Sequence, residues 1–207
     1  HHATEDIAIM RAMANLVVMV PADGQETAAA VRAAIAHQGP VYIRINRGFD
    51  QIVYPQGIED FQLGRANLLH EGSDLCFIAC GSAVFSALQA ARELAAEGIK
   101  ARVLDMHTIK PLDKEAVKKA VHDTRRIITA EDHTVVGGLG SAVAEVIAES
   151  GMGCALRRLG IQDAFSPIGY HEDLMSLHGI DANGLVRAAR ETLKMDFEED
   201  DDWTDEV

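Results

Sequence analysis

Between Asp74 and Asp105 the chain passes through an apolar run, an amphipathic stretch and a second apolar run, and few folds accept that order at that length. Leu75-Cys76-Phe77-Ile78-Ala79 is short and uninterrupted, closed by Gly81-Ser82. It is too short for an amphipathic helix and suits a strand buried on both faces. Ser82 is placed to cap a helix in which Val84, Leu88, Ala91 and Ala95 recur at helical spacing, with Gln89, Arg92, Glu93 and Glu97 between them. Gly98 ends that helix and Ala101-Arg102-Val103-Leu104-Asp105 reads as a second strand. A helix joining two short apolar strands is the crossover unit of a parallel sheet, so the expected class is α/β.

The flanks repeat the alternation. Thr4 is placed to cap a helix to about Ala14, with Glu5 and Asp6 in its first turn and Ile7, Met10 and Ala14 on its apolar face. Leu16 to Val20 reads as a strand stopped by Pro21. A helix from Asp23 is expected to turn Ala28, Val31 and Ile35 inward before Gly39-Pro40, and Val41 to Ile45 is the next strand. Residues 4–45 therefore read as the back half of a parallel α/β domain whose front half is missing. From Asn46 to Asp60 the pattern dissolves around Gly48, Pro55 and Gly57, as a linker would, and a boundary near residue 60 is expected.

Gly64 to Leu69 is an entry strand to the second domain. After the central unit come a helix capped by Asp113 with Val117 and Val121 inward, a strand from Arg126 to Ala130, and a helix through Val143, Val146 and Ile147 ended by Gly151. A strand from Ala155 to Leu159 and helices at His171–Leu177 and 183–194 close it. The expectation is a partial parallel α/β remnant over residues 1–60, a complete, mostly parallel three-layer α/β domain over 61–195, and an acidic tail over 196–207. That tail holds Glu198-Glu199-Asp200-Asp201-Asp202 and little to bury, so it reads as disordered.

Of 207 residues, 48% are hydrophobic, enough for a substantial core, yet no apolar run approaches the length that spans a bilayer. The net charge of −13 argues against a nucleic-acid groove, which needs clustered Lys and Arg. Cys76, Cys80 and Cys154 sit in apolar contexts without metal-ligand spacing and read as small core residues, consistent with a reducing cytoplasm.

Three places invite chemistry. Gly137-Gly138-Leu139-Gly140-Ser141 opens a helix, but the third glycine of a dinucleotide fingerprint is replaced by Val143 and no acidic residue follows at the ribose distance, so it reads as a tight packing turn. Glu131-Asp132-His133 just before it has acid–base potential and reads by default as a cap and a solvated turn. His1 and His2 together are a conceivable pair of metal ligands.

Several stretches resemble the transketolase family in order and spacing. His1-His2-Ala3-Thr4-Glu5-Asp6-Ile7-Ala8-Ile9-Met10-Arg11, Pro21-Ala22-Asp23, Gly39-Pro40-Val41-Tyr42-Ile43-Arg44 and Arg47 look like the end of its pyrimidine-binding domain. Gly81-Ser82-Ala83-Val84, Thr108-Ile109-Lys110-Pro111-Leu112-Asp113, Glu131-Asp132-His133 and Gly137 to Val143 resemble its carboxy-terminal domain.

The resemblance implies an enzyme that uses thiamine diphosphate and magnesium to pass a two-carbon ketol unit between sugar phosphates. It gives His1 the role of a catalytic histidine on substrate oxygens and Arg47 that of the sugar-phosphate anchor. In the family, the glutamate that activates the cofactor and the aromatic residues that stack on it lie upstream of the His1 motif. No cofactor-binding or metal-binding residue is therefore expected within this chain, and no bound cofactor when it is alone. The implied partner is an amino-terminal region or subunit, in a cytoplasmic homodimer. Deoxyxylulose-phosphate synthase and the β subunit of 2-oxo acid dehydrogenases are the rival members, with Arg47 favouring a phosphosugar, and a non-catalytic dimerisation module is the rival outside enzymology.

Overall fold

The computed structural model describes residues 2–47, 51–58 and 60–195, so the tail from 196 onward lies outside the described residues. The first part of the chain supplies α1 (Asp6–Ala12), β1 (Val17–Met19), α2 (Gly24–Ala36) and β2 (Val41–Ile43). Then follow β3 (Asn67–His70), β4 (Leu75–Ala79), α3 (Ala83–Ala96), β5 (Ala101–Asp105), β6 (Thr108–Lys110), α4 (Lys114–Thr124), β7 (Arg126–Thr134), α5 (Leu139–Ser150), β8 (Ala155–Ile161), α6 (His171–Leu177) and α7 (Ala182–Thr192).

Five strands form the larger sheet in the order β3-β5-β4-β7-β8. β4 pairs in parallel with β5 from Leu75↔Ala101 to Ala79↔Asp105 and with β7 on its other side, while β3 is an antiparallel edge. Every residue of β4 is buried, which explains its unbroken apolar run. One face carries α3 and α7, packed through the small residues Ala87, Ala90 and Ala91 against Leu185, Val186 and Ala189. The other carries α4 and α5 through Val117, Val121, Leu139, Val143 and Val146. This is the expected α/β/α sandwich, and Asp113 caps α4 as expected, its Oδ1 accepting from Ala116 N at 2.9 Å.

A second sheet of three strands runs β2-β1-β6. β1 and β2 are parallel, as the alternation predicts, but β6 lies antiparallel to β1. No reading of the sequence anticipates β6, a strand that comes from the far side of the linker. Ile7, Val18 and Val20 are buried in the same cluster as Cys76, Ile78 and Ile127, so the first part packs directly onto the larger sheet.

Local expectations fail in instructive places. On α2 the inward residues are Glu26, Ala29 and Ala30, whereas Ala28 faces solvent and Val31 and Ile35 are 40% and 81% exposed. Ser82 adopts helical backbone angles and its side chain caps nothing; the cap of α1 falls at Glu5, not Thr4, and Ala14 is exposed beyond the end of that helix. The strands expected at 16–20 and 41–45 are shorter at their ends. The linker, outside residues 48–50 and 59, is held rather than loose: the amides of Val53 and Tyr54 both donate to Asp23 Oδ2, at 2.9 and 2.8 Å.

Candidate functional site

β7 runs four residues past the expected Ala130, so Glu131-Asp132-His133 lies on a strand and not on a solvated turn. Strand alternation sends Glu131 and His133 to one face and Asp132 to the other. Glu131 is fully buried and accepts from Leu139 N at 2.7 Å and Gly140 N at 2.8 Å, satisfying free amides at the start of α5. Burial pushes its carboxyl up to about 7, against those amides. A side chain on Gly138 would place its Cβ 2.0 Å from Glu131 Oε2, so the glycine turn is fitted to the carboxylate rather than to a phosphate.

His133 is buried, and its Nδ1 lies 2.7 Å from Thr134 O, which accepts only; Nδ1 therefore carries the proton and Nε2 is left as acceptor for Ala8 N at 3.4 Å. Desolvation holds the ring's pKa low, which favours that neutral form. Asp132 turns outward and pairs with Arg44, Nη1 to Oδ1 at 2.6 Å. Arg44 also meets Asp6, which in turn accepts from Tyr42 OH at 2.7 Å. Burial works against the guanidinium charge, but the Asp132 and Asp6 carboxylates outweigh it.

A cleft of about 570 Å³ opens over this group, lined among others by His2, Arg44, Arg47, Asp132, His171 and His178. Arg47 is exposed at its wall. His1 lies outside the described residues, and His2 is exposed at the cleft. Among the described residues no group of three or more His, Cys, Asp and Glu is arranged to hold a metal ion. Cys76 and Cys80 are buried and Cys154 half-buried, all free; burial pushes the Cys76 thiol up to about 12, and the core reading of the cysteines holds.

In open α/β sheets ligands bind beyond the carboxyl ends of the strands where the winding reverses. Here that point lies between β4 and β7, and next to it the first part of the chain is tied to the ends of β4 and β5: Gly81 N donates to Val20 O at 3.1 Å, and Val20 N donates to His107 O at 2.8 Å.

Sequence reasoning missed a second polar cluster. Glu26 and Asp105 are both fully buried with their carboxyls in hydrogen-bonding reach, Tyr54 OH donates to Asp105 Oδ2 at 2.6 Å, and Asn67 Nδ2 donates to Tyr54 OH at 3.0 Å. Burial first, and the Asp105 charge second, raise the Glu26 pKa, and burial raises that of Asp105. Two carboxyls buried together do not both ionise easily, which favours a proton on one of them.

Residues 64–185 match the model of the transketolase carboxy-terminal domain and residues 1–49 that of the transketolase pyrimidine-binding domain. The chain belongs to the transketolase family, whose members are thiamine diphosphate enzymes. It is 40% identical over 195 residues to a protein of Methanocaldococcus jannaschii described as a transketolase C-terminal section, covering 94% of this chain and 61% of that one. With a 1-deoxy-D-xylulose-5-phosphate synthase of Heliobacterium modesticaldum it shares 38% identity, covering 95% of this chain and 30% of the synthase. A split-gene transketolase solved as an inactive β4 tetramer superposes with a TM-score of 0.84 at 40% identity, over 93% of this chain and 62% of that one. The chain thus spans less than two thirds of each of these relatives. No helix among the described residues is long and apolar enough to cross a membrane.

Proposed function

We propose that this chain is the carboxy-terminal part of a transketolase that moves a two-carbon ketol unit between sugar phosphates, working with an amino-terminal region or subunit. Its first 60 residues belong to the pyrimidine-binding domain and residues 61–195 form the carboxy-terminal domain. Arg47 carries the reading: an exposed guanidinium on the wall of a polar cleft grips a phosphate through paired, charge-assisted hydrogen bonds. His1, at the head of the same segment, moves protons to and from a ketose oxygen. Thiamine diphosphate supplies the electron sink for breaking the bond beside the carbonyl, and the residues that hold it come from the amino-terminal region. Similarity to a deoxyxylulose-phosphate synthase supports a second reading, in which Arg47 keeps the same role and the two-carbon donor differs.

The test combines the chain with its amino-terminal section and assays ketol transfer. Arg47→Ala is expected to raise KM for phosphorylated sugars about ten- to a hundredfold, the effect of losing roughly 1.5–3 kcal/mol, and to affect unphosphorylated ketoses far less. Equal losses on both substrate types would make Arg47 structural and sink the reading.

A further inference from the structure

Glu131-Asp132-His133 has no part in the chemistry just described, yet each of its side chains holds another segment of the chain. Arg44 is the link that reaches furthest. Its guanidinium carries five N–H donors, and four hydrogen bonds run from it to the frame: Nε to Asp6 Oδ1 at 3.3 Å, Nη1 to Asp132 Oδ1 at 2.6 Å, and Nη2 to both Asp132 O and Ala3 O at 3.1 Å. Asp6 and Asp132 together outweigh its charge, so the spot repels a phosphate. Arg44 and Arg47, three residues apart on one cleft, therefore divide the work: Arg47 faces the ligand and Arg44 faces the scaffold.

What Arg44 holds is the segment that begins with the candidate catalytic histidine. Ala3 O takes one guanidinium N–H, Thr134 N donates to Thr4 O at 2.8 Å, and Ala8 N reaches His133 Nε2. A Cβ at Gly137 would come within 2.7 Å of the Ala8 methyl, so the turn after β7 closes tightly against α1. Three of these four contacts originate in or next to the end of β7, and the fourth, from Arg44, is tied to that end through Asp132. We propose that residues 131–134 are the seat that fixes segment 3–8, which follows the candidate histidine in the chain, and that Arg44 and Asp132 are positioning residues for the reaction. This assigns the carboxy-terminal domain a catalytic purpose, and it rests on the reading of His1 given above.

The experiment uses Asp132→Ala, Asp132→Asn and Arg44→Lys. Hydrogen exchange on the chain is expected to speed up at least tenfold in residues 3–8 of Asp132→Ala, with α3 and β4 protected as in the parent. In the complete enzyme kcat is expected to fall at least tenfold with KM for the ketose within about twofold, because a displaced proton carrier slows the chemical step more than it weakens binding. Asp132→Asn keeps an acceptor oxygen and is expected to recover most of both signals, with Arg44→Lys in between. Unchanged exchange in residues 3–8, or unchanged kcat, in Asp132→Ala would overturn the proposal. So would global loss of protection in Asp132→Ala together with parent-like exchange and kcat in Arg44→Lys. His1→Ala in the same enzyme separates the two claims: full activity there defeats the catalytic reading of His1, whereas exchange in residues 3–8 reports on the seat independently.

Discussion

Tyr54 OH stands 2.6 Å from Asp105 Oδ2 and donates to it, joining the connecting segment to the last residue of β5. A tyrosine in a linker is ordinary, but this one is half-buried, and its phenol is the donor that a buried carboxylate requires. Burial, and then the neighbouring Asp105 charge, drive the Tyr54 pKa far upward, so it stays a donor at any working pH.

Tyr54→Phe is expected to lower stability by about 1.5–3 kcal/mol, the cost of deleting a hydrogen bond to a charged, buried partner. A urea titration checks it: the midpoint falls while the slope stays unchanged. An unshifted midpoint would mean that Asp105 finds another donor.

Glu26 contributes to how stability depends on pH. Its proton is bound more tightly in the folded chain than in the unfolded one, because burial and Asp105 raise its pKa above 4.5. Its contribution is therefore complete below the unfolded value and declines as pH rises through neutrality towards the raised folded value. Glu26→Gln keeps an N–H to offer Asp105 and carries no charge. Its stability, measured at pH 5, 7 and 9, is expected to vary less than that of the parent; parallel pH curves would exclude Glu26 as the source.

Gly138→Ala is expected to cost about 1–3 kcal/mol or more, since its Cβ would meet Glu131 Oε2 at 2.0 Å and His133 Nδ1 at 2.7 Å. Gly151→Ala is the control. Gly151, unlike Gly138, has a positive φ but open space around its Cβ, so only backbone strain acts there. If thermal melts ranked Gly151→Ala as the more damaging, the crowding at Gly138 would be unimportant.

Calorimetry at physiological magnesium is expected to show no thiamine diphosphate binding to these residues alone. The described residues offer no metal-holding cluster. Micromolar affinity would disprove this.

The legible parts of the fold are those where side chain and surroundings agree locally. β4 and β5 are buried on both faces and read as apolar runs, and α4 shows its cap and its inward valines within one window. α2 misled because, in a helix rich in alanine, size stands in for direction: Val31 and Ile35 were the obvious inward residues, whereas the buried face is set by Glu26, whose partner Asp105 lies far along the chain. Arg44 is hidden for the same reason. Its partners Asp6 and Asp132 stand 38 and 88 positions away, and a charged residue among apolar ones reads locally as an outward strand position. Glu131-Asp132-His133 looks like surface by composition, yet Glu131 and His133 are core and Asp132 is half-buried against Arg44. Arg47 entered only through resemblance to the family, and no spacing rule singles it out.

β6 has a consequence for how the chain divides. Thr108–Lys110 leaves the larger sheet to become the third strand of the smaller one, where Val18 faces Lys110 and Met19 faces Thr108. Pulling the two halves apart at the linker would strip β1 of a neighbour and leave those three residues with nothing to pair. The halves should therefore stay clasped after cleavage and melt in one transition, whereas a break upstream of α1 severs no pairing that involves β6. For a protein whose relatives include split genes, the seam that sequence composition suggests is mechanically the wrong place to cut.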